Sequence, residues 1–239
     1  MQESRGELDR IFGGVFVRTA LCSMPIHALS LMAAYVENAI PQEQDLQRDA
    51  YEKLRSTEAE VPEEDITLWL EPEYTFFMQT LPRILRYNFV VTAYSAIEAH
   101  LNRLCDFGAK RVAARLTYRD MSREGGAIQR ALLYLEKVLE TPVHSDLAEW
   151  REITEQVKVL AQLRNAIVHS EGLDPDGKLV RYSADHPEHI VRKPNGELLV
   201  QGAYLAHVVK TAYRFFKHLL ATGVPNEGMH PAAQKAGGG

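Results

Sequence analysis

A chain of 239 residues, 46% hydrophobic and 25% charged, is long enough to bury one sizeable core without disulfides and has the make-up of a globular protein rather than a disordered or fibrous one. Its formal net charge of −5 argues against a polyanion held by the surface as a whole, and two cysteines, Cys22 and Cys105, exclude a disulfide framework or a cysteine-rich zinc site. No apolar run is long enough to span a bilayer, and the opening MQESRGELDR puts Glu3, Glu7 and Asp9 where a secretory leader is basic, so a cytoplasmic protein with no membrane partner is expected.

The first apolar period runs through Val17, Leu21, Met24, Ala28, Leu31 and Tyr35 and predicts a helix over 15–39 that Pro25 kinks or splits and Pro41 ends. A polar helix over 42–57 follows, then EAEVPEED, whose proline and charges mark a linker. Residues 1–66 read as a helical extension of a main domain at 67–222, with 223–239 a flexible tail. The segment 73–116 repeats Leu85, Phe89, Tyr94, Ile97, Leu101 and Leu104 at helical spacing, with Pro82 bending its start. A turn at Gly125–Gly126 leads to a helix ending near Leu139, and Ser145 is placed to cap another that runs to His169. Beyond Gly172 come turn signals at 174–177 and 194–196, with short strands expected around Val180 and Ile190 and at 198–200. A last helix, 203–221, carries Leu205, Val208, Ala212, Phe215, Phe216 and Leu219 on one face. The fold class is therefore all-α, a helical bundle with a small β-hairpin inserted before its final helix.

Charge is unevenly spread. Acids dominate between Glu37 and Glu73, whereas Arg103, Lys110, Arg111, Arg115, Arg119, Arg123 and Arg130 dominate the next stretch. Either run suits a solvated helix face; Lys110, Arg111 and Arg115 also suit phosphate contacts.

The stretch LAQLRNAIVHSEG closes a helix with Arg164, Asn165 and His169. Arg164 and His169 lie about 140° apart and about 7.5 Å along the axis, a spacing that flanks a groove rather than stacking one side chain on the other. Arg164 offers a planar, permanently charged fork for phosphate, His169 a general acid–base group, and Asn165 donors and an acceptor to orient either. The same residues also suit free carbonyls at a helix end, with no chemistry attached.

Metal and phosphate-loop motifs are weaker. In HPEH, Pro187 disfavours a helical arrangement of His186 and His189, and no cysteine or third histidine lies at ligand spacing, so no metal is expected. Asp174, Asp176 and Gly177 match only the start of a calcium loop and read as a turn. No glycine-rich phosphate loop or nucleophile elbow is present, and no cofactor is implied. Tyr87, Tyr94, Phe215 and Phe216 read as core rather than as a base-stacking platform.

The order of elements, a long helix with YSAIEAHLNRL, a glycine turn with AIQRALLYL, then a helix ending LRNAIVHSEG, resembles the HEPN superfamily over about 74–222. That family is marked by an Arg, a polar residue after it, and a His four to six residues beyond the Arg, which Arg164, Asn165 and His169 match. The resemblance implies a metal-independent endoribonuclease acting as a homodimer on RNA, with 2′-hydroxyl attack leaving a 2′,3′-cyclic phosphate. Toxin–antitoxin and phage-defence effectors are common among such proteins, and so are non-catalytic RNA- or nucleotide-binding and protein-interaction modules. An antitoxin or regulatory protein is thus a possible partner. Glu98, on the preceding long helix, is a further catalytic candidate or else the pairing partner of an arginine within the bundle. The 178–200 hairpin leaves the chain next to His169, and its Arg181, Arg192 and Lys193 would give an RNA cleft a positive edge.

Overall fold

The structure is a computed structural model that describes residues 11, 15–57, 71–122, 124, 126–141 and 148–221. The linker at 58–65, Arg123, Gly125, the Ser145 cap and the tail at 223–239 lie outside the described residues.

Helix α1, Val15–Thr57, runs without interruption through Pro25 and Pro41. This corrects the expected break at Pro41. A proline inside a helix loses one backbone hydrogen bond, but that local cost is offset where one face is buried before it, here up to Ile40, and contacts such as Gln44 on Met78 and Tyr51 on Tyr74 hold the helix beyond it. Ile26, Leu29, Ala33, Val36 and Ile40 form that face, spaced three or four apart, and α1 packs against α2 and α6.

Helix α2, Leu81–Val112, is the central element and touches every other long helix. Phe89, Val90, Ala93, Ile97, Leu101, Leu104 and Cys105 are buried along it, the cysteine as a small apolar group whose thiol burial pushes up to about 12. Pro82 does disturb its start. Helix 71–75 passes into a π-helical turn, Phe76–Thr80, immediately before α2. Pro82 has no N–H to give the Met78 carbonyl four residues back, and Gln44 Nε2 of α1 donates to that oxygen instead, at 3.1 Å. Ala113, in the left-handed region, ends α2.

Helix α3, Gly126–Lys137, lies against α2, and α4, Ala148–Ser170, packs between α2 and α6 through Trp150, Ile153, Val157, Leu160 and Leu163. Where a strand is expected around Val180, the chain forms a six-residue helix, α5, Val180–Asp185. The cause is Asp174, whose buried carboxylate accepts the backbone N–H groups of Lys178 and Leu179, both at 3.0 Å, and so organises the turn that enters α5. Leu179 and Ser183, four apart, then face inward. The hairpin itself is as expected, with β1, Ile190–Arg192, antiparallel to β2, Leu198–Val200, and Ile190 opposite Val200. Helix α6, Gly202–Ala221, closes the bundle with Tyr204, Leu205, Val208, Ala212, Phe215 and Phe216 buried. The described chain is thus mostly helical with one two-stranded hairpin, and no described helix is long and apolar enough to cross a membrane.

Candidate functional site

The end of α4 is fixed by the chain that follows it. Glu171 and Gly172 both adopt positive φ, and the Gly172 N–H returns to the Ala166 carbonyl. Leu173 then bridges to Glu197, and the Asp174 N–H bonds the Gly196 carbonyl at 3.0 Å, so the segment after the helix is held on the hairpin turn. His169 therefore lies in the last turn of a helix whose end is anchored by a second element.

Over that terminus Arg164, Asn165 and His169 come together. Arg164 Nη1 donates to Asn165 Oδ1 at 3.0 Å and lies 3.5 Å from His169 Nε2. The angular separation on the helix is overcome by the reach of the arginine side chain, so the two groups meet instead of flanking a groove. A guanidinium has donors only, so this contact is a hydrogen bond when Nε2 carries no proton. Beneath, the Arg164 guanidinium carbon lies 5.6 Å from the centre of the Tyr94 ring. Tyr94 is half-buried rather than core, and burial, then the neighbouring Glu98 carboxylate, hold its hydroxyl above the usual value while Arg164 acts in the opposite sense.

Arg164 has no carboxylate partner among the described residues, and its buried Nε has no acceptor. Of the other half-buried arginines, Arg130 likewise has a buried Nε without an acceptor, whereas two differ. Arg86 grips Glu37 with two nitrogens, at 3.0 and 3.1 Å, and Arg214 holds Glu152. Glu98 sits near Tyr94 on α2 without an ion pair to Arg164.

Beside this group opens a cleft of about 440 Å³, lined by Gln162, Asn165, His169, Ser170 and the turn from Leu173 to Lys178. Sequence reading misses Gln162, Ser170 and Lys178. Gln162 lies three residues before Asn165, on the same helix face, a signal that was available. Lys178 returns to the cleft only because the Asp174 turn closes, which no local pattern discloses.

The expected RNA-contacting residues are dispersed. Lys110 and Arg111 lie on the last turn of α2 and Arg115 just beyond it, all exposed. Lys110 is sixteen residues past Tyr94, about 24 Å along the helix. Arg111 lies over the Phe107 ring. Arg181 faces Asp185 at 3.6 Å, Arg192 faces the buried Asp174 at 3.5 Å, and Lys193 holds Glu197 at 2.9 Å. None of the six lines the cleft, whose wall is the 173–178 turn rather than the strands.

A second polar group gathers where α4, α5, β1 and α6 meet. His189 Nδ1 is 2.9 Å from the Tyr182 hydroxyl, which donates to Gln156 Oε1, and His207 Nε2 is 2.9 Å from that same oxygen. Burial, then the neighbouring His189, pushes His207 down to about 4.

Comparison of the chain with protein-family models, characterised proteins and solved structures finds no match.

Proposed function

We propose that this protein is a metal-independent endoribonuclease of the HEPN type, cleaving RNA by attack of a ribose 2′-hydroxyl on the adjacent phosphodiester. The observation that carries the reading is Arg164, a half-buried guanidinium without a carboxylate, in contact with Asn165 and His169, which line an open cleft that Arg164 itself does not line. An uncompensated charge in a half-buried place is costly, and a phosphate anion would compensate it. With the Arg164 fork drawn onto the phosphate, His169 Nε2 is released and takes the 2′-hydroxyl proton, the oxygen forms its bond to phosphorus, and the 5′-oxygen leaves with a proton, giving a 2′,3′-cyclic phosphate and a 5′-hydroxyl. Arg164 neutralises the charge that builds on the non-bridging oxygens, and Asn165 holds its fork in place. Tyr94 supports the guanidinium from below, and Glu98 acts through Tyr94 rather than on substrate. A second copy of the chain across a two-fold axis would supply the partner acid–base group that a single His169 lacks. Toxin or phage-defence activity is compatible with such chemistry.

The test is incubation of purified protein with mixed RNA in chelator, followed by end-group analysis. Cyclic phosphate ends are expected, with the rate falling about 10²–10⁴-fold in His169→Ala and about 10²–10³-fold in Arg164→Ala. Equal cleavage by the variants rejects the assignment.

A non-catalytic protein-interaction module is the second reading. It is favoured by Leu31, Tyr35 and Leu46 of α1, which are 59, 72 and 63% exposed and offer apolar area to an antitoxin or regulatory protein. Absence of RNA cleavage together with a stoichiometric complex lost in Tyr35→Asp is its signature.

A further inference from the structure

The turn between α5 and β1 folds two histidines and a glutamate onto one point. The N–H groups of His189 and Ile190 both return to the His186 carbonyl, at 3.0 and 3.2 Å, which brings the two imidazoles into a near-parallel pair with ring centres 5.3 Å apart. Glu188 reaches back over them, its Oε1 3.3 Å from His186 Nδ1 and 3.8 Å from His189 Nε2. One ligand atom from each of the three lies within 4.8 Å of the others. Ligands at about 2.0–2.2 Å from a tetrahedral ion are about 3.3–3.5 Å apart. The His186–Glu188 separation already meets this; a swing of Glu188, 56% exposed, closes its 3.8 Å gap to His189, and the 40% exposed His186 ring turns toward His189 to bring the two imidazole ligand atoms, now within 4.8 Å, to that spacing.

A turn on the surface explains neither the wiring behind His189 nor its sense. Gln156 Oε1 is only an acceptor, so the Tyr182 hydroxyl and His207 Nε2 must both donate to it. The one Tyr182 proton is thereby used. With the Tyr182 proton on Gln156, the 2.9 Å contact between Tyr182 and His189 is made by Nδ1–H of His189, the tautomer that leaves the Nε2 lone pair on the side of Glu188. A histidine whose far nitrogen donates to a fixed acceptor is the arrangement that orients metal-bound imidazoles. Three elements contribute to it: Gln156 from α4, Tyr182 from α5 and His207 from α6. His186 and Glu188 leave the outer side open to water as a fourth ligand.

The geometry points to a site for one divalent transition-metal ion of the Zn²⁺ class, held by His186, Glu188 and His189, with Tyr182 and Gln156 as positioning residues for His189. None of the three ligands lines the Arg164 cleft, so the ion has no part in the proposed RNA cleavage.

Full-length protein, stripped with chelator and desalted, is titrated with Co²⁺ while visible absorption is followed, then with Zn²⁺ in competition. One Co²⁺ per chain is expected, with the ligand-field bands of a four- or five-coordinate ion, displaced by one equivalent of Zn²⁺. Affinity should fall at least 100-fold in His189→Ala, and Tyr182→Phe, which keeps the ring and removes the acceptor, should weaken it about 10–100-fold. Glu188→Gln, at an exposed position, gives the same test should His189→Ala fail to fold. Lack of a stoichiometric Co²⁺ signal, or a signal unchanged in His186→Ala and Glu188→Gln, overturns the site. RNA cleavage in chelator is the separate measure of the Arg164 cleft, so either assignment can fail alone.

Discussion

Tyr87 on α2 lies directly against the α-carbon of Gly172, where a Cβ would come within 2.2 Å of the tyrosine hydroxyl. That hydroxyl donates to the Leu198 carbonyl of β2 at 2.5 Å, and the Gly172 carbonyl accepts the Leu198 N–H at 2.9 Å. Helix α4, the central helix and the hairpin are thus joined at the residue that ends the Arg164–His169 turn. Gly172 also has φ +85°, which a residue with a side chain adopts only under strain. Gly172→Ala should cost about 2–4 kcal/mol from strain and overlap combined. Tyr87→Phe alone should cost about 1 kcal/mol through the lost hydrogen bond. Because the phenylalanine removes the nearest overlapping atom, the double variant should be more stable than the sum of the two losses, a coupling that denaturant unfolding of the four proteins measures directly.

Glu197 joins the same hairpin to α2. Hydrogen bonds from Lys193, then from Arg83, hold its carboxyl below the ordinary glutamate range. A carboxyl whose folded value is depressed binds fewer protons folded than unfolded, so its contribution is complete above about pH 4.5, the unfolded value, and is lost as pH falls through the lower folded one. Thermal midpoints should therefore drop in acid, and Glu197→Gln, already without the charge, should show a smaller drop over the same window. An identical acid profile in the variant refutes the role given to this carboxylate.

The helices were legible because their apolar faces repeat at three and four, as in Phe89, Ala93, Ile97 and Leu101 or Trp150, Ile153, Val157 and Leu160. Pro41 misled because its local penalty is visible in the sequence whereas the compensating burial of Val36 and Ile40 on α6 and α2 is not. The strand expected around Val180 failed for a related reason: Leu179–Val180 is a short apolar run after a turn signal, as a strand would be, and the buried Asp174 carboxylate decides for a helix. At the site, Arg164, Asn165 and His169 stood out as polar residues at the end of an apolar period. The proposed metal site was less legible, because Pro187 argues against a helical arrangement of His186 and His189 and it is the tight turn that brings Glu188, not a third histidine, to the two rings.

Arg164 offers a test of chemistry against charge. Lysine keeps the positive charge but not the planar fork that reaches Asn165, His169 and the Tyr94 face together. On the ribonuclease reading, Arg164→Lys should remain folded and lose most of the activity lost by Arg164→Ala, about 10²-fold. Tyr94→Phe retains the ring under the guanidinium and should stay within about threefold of the parent, since the face and not the hydroxyl makes the contact. Single-turnover rates on a short RNA check both. Full activity in Arg164→Lys would reduce the residue to a bulk charge.

Lys110 stands about 24 Å along α2 from Tyr94, with Arg111 next to it and Arg115 beyond the helix end, an exposed face that spans several nucleotides. If RNA follows that face, replacing all three by glutamate should weaken binding regardless of sequence and lower the slope of log affinity against log salt by about 2, since each single-strand phosphate contact releases about 0.7 counterion. Binding isotherms at four salt concentrations give the slope. An unchanged value returns these residues to an ordinary solvated helix face.

The dimer is the prediction with the largest mechanistic consequence. Within one chain the described cleft presents a single imidazole, already in contact with Arg164, whereas moving a proton from the 2′-hydroxyl and another onto the leaving oxygen needs groups on opposite sides of the phosphate. His169 and Val168 are both exposed at the helix end, so an isologous contact between two copies of this turn would place one His169 on each side of a shared phosphate. Light scattering should then report twice the chain mass. Mixing gives the sharper measurement: after subunit exchange with an equal amount of His169→Ala, only about one quarter of the dimers carry two histidines. A shared site therefore loses about half of the activity per wild-type chain, whereas two independent sites lose none. A monomeric species that cleaves at the full rate would place the second proton carrier elsewhere in the same chain, with Tyr94, whose ring the Arg164 guanidinium covers, the residue to test.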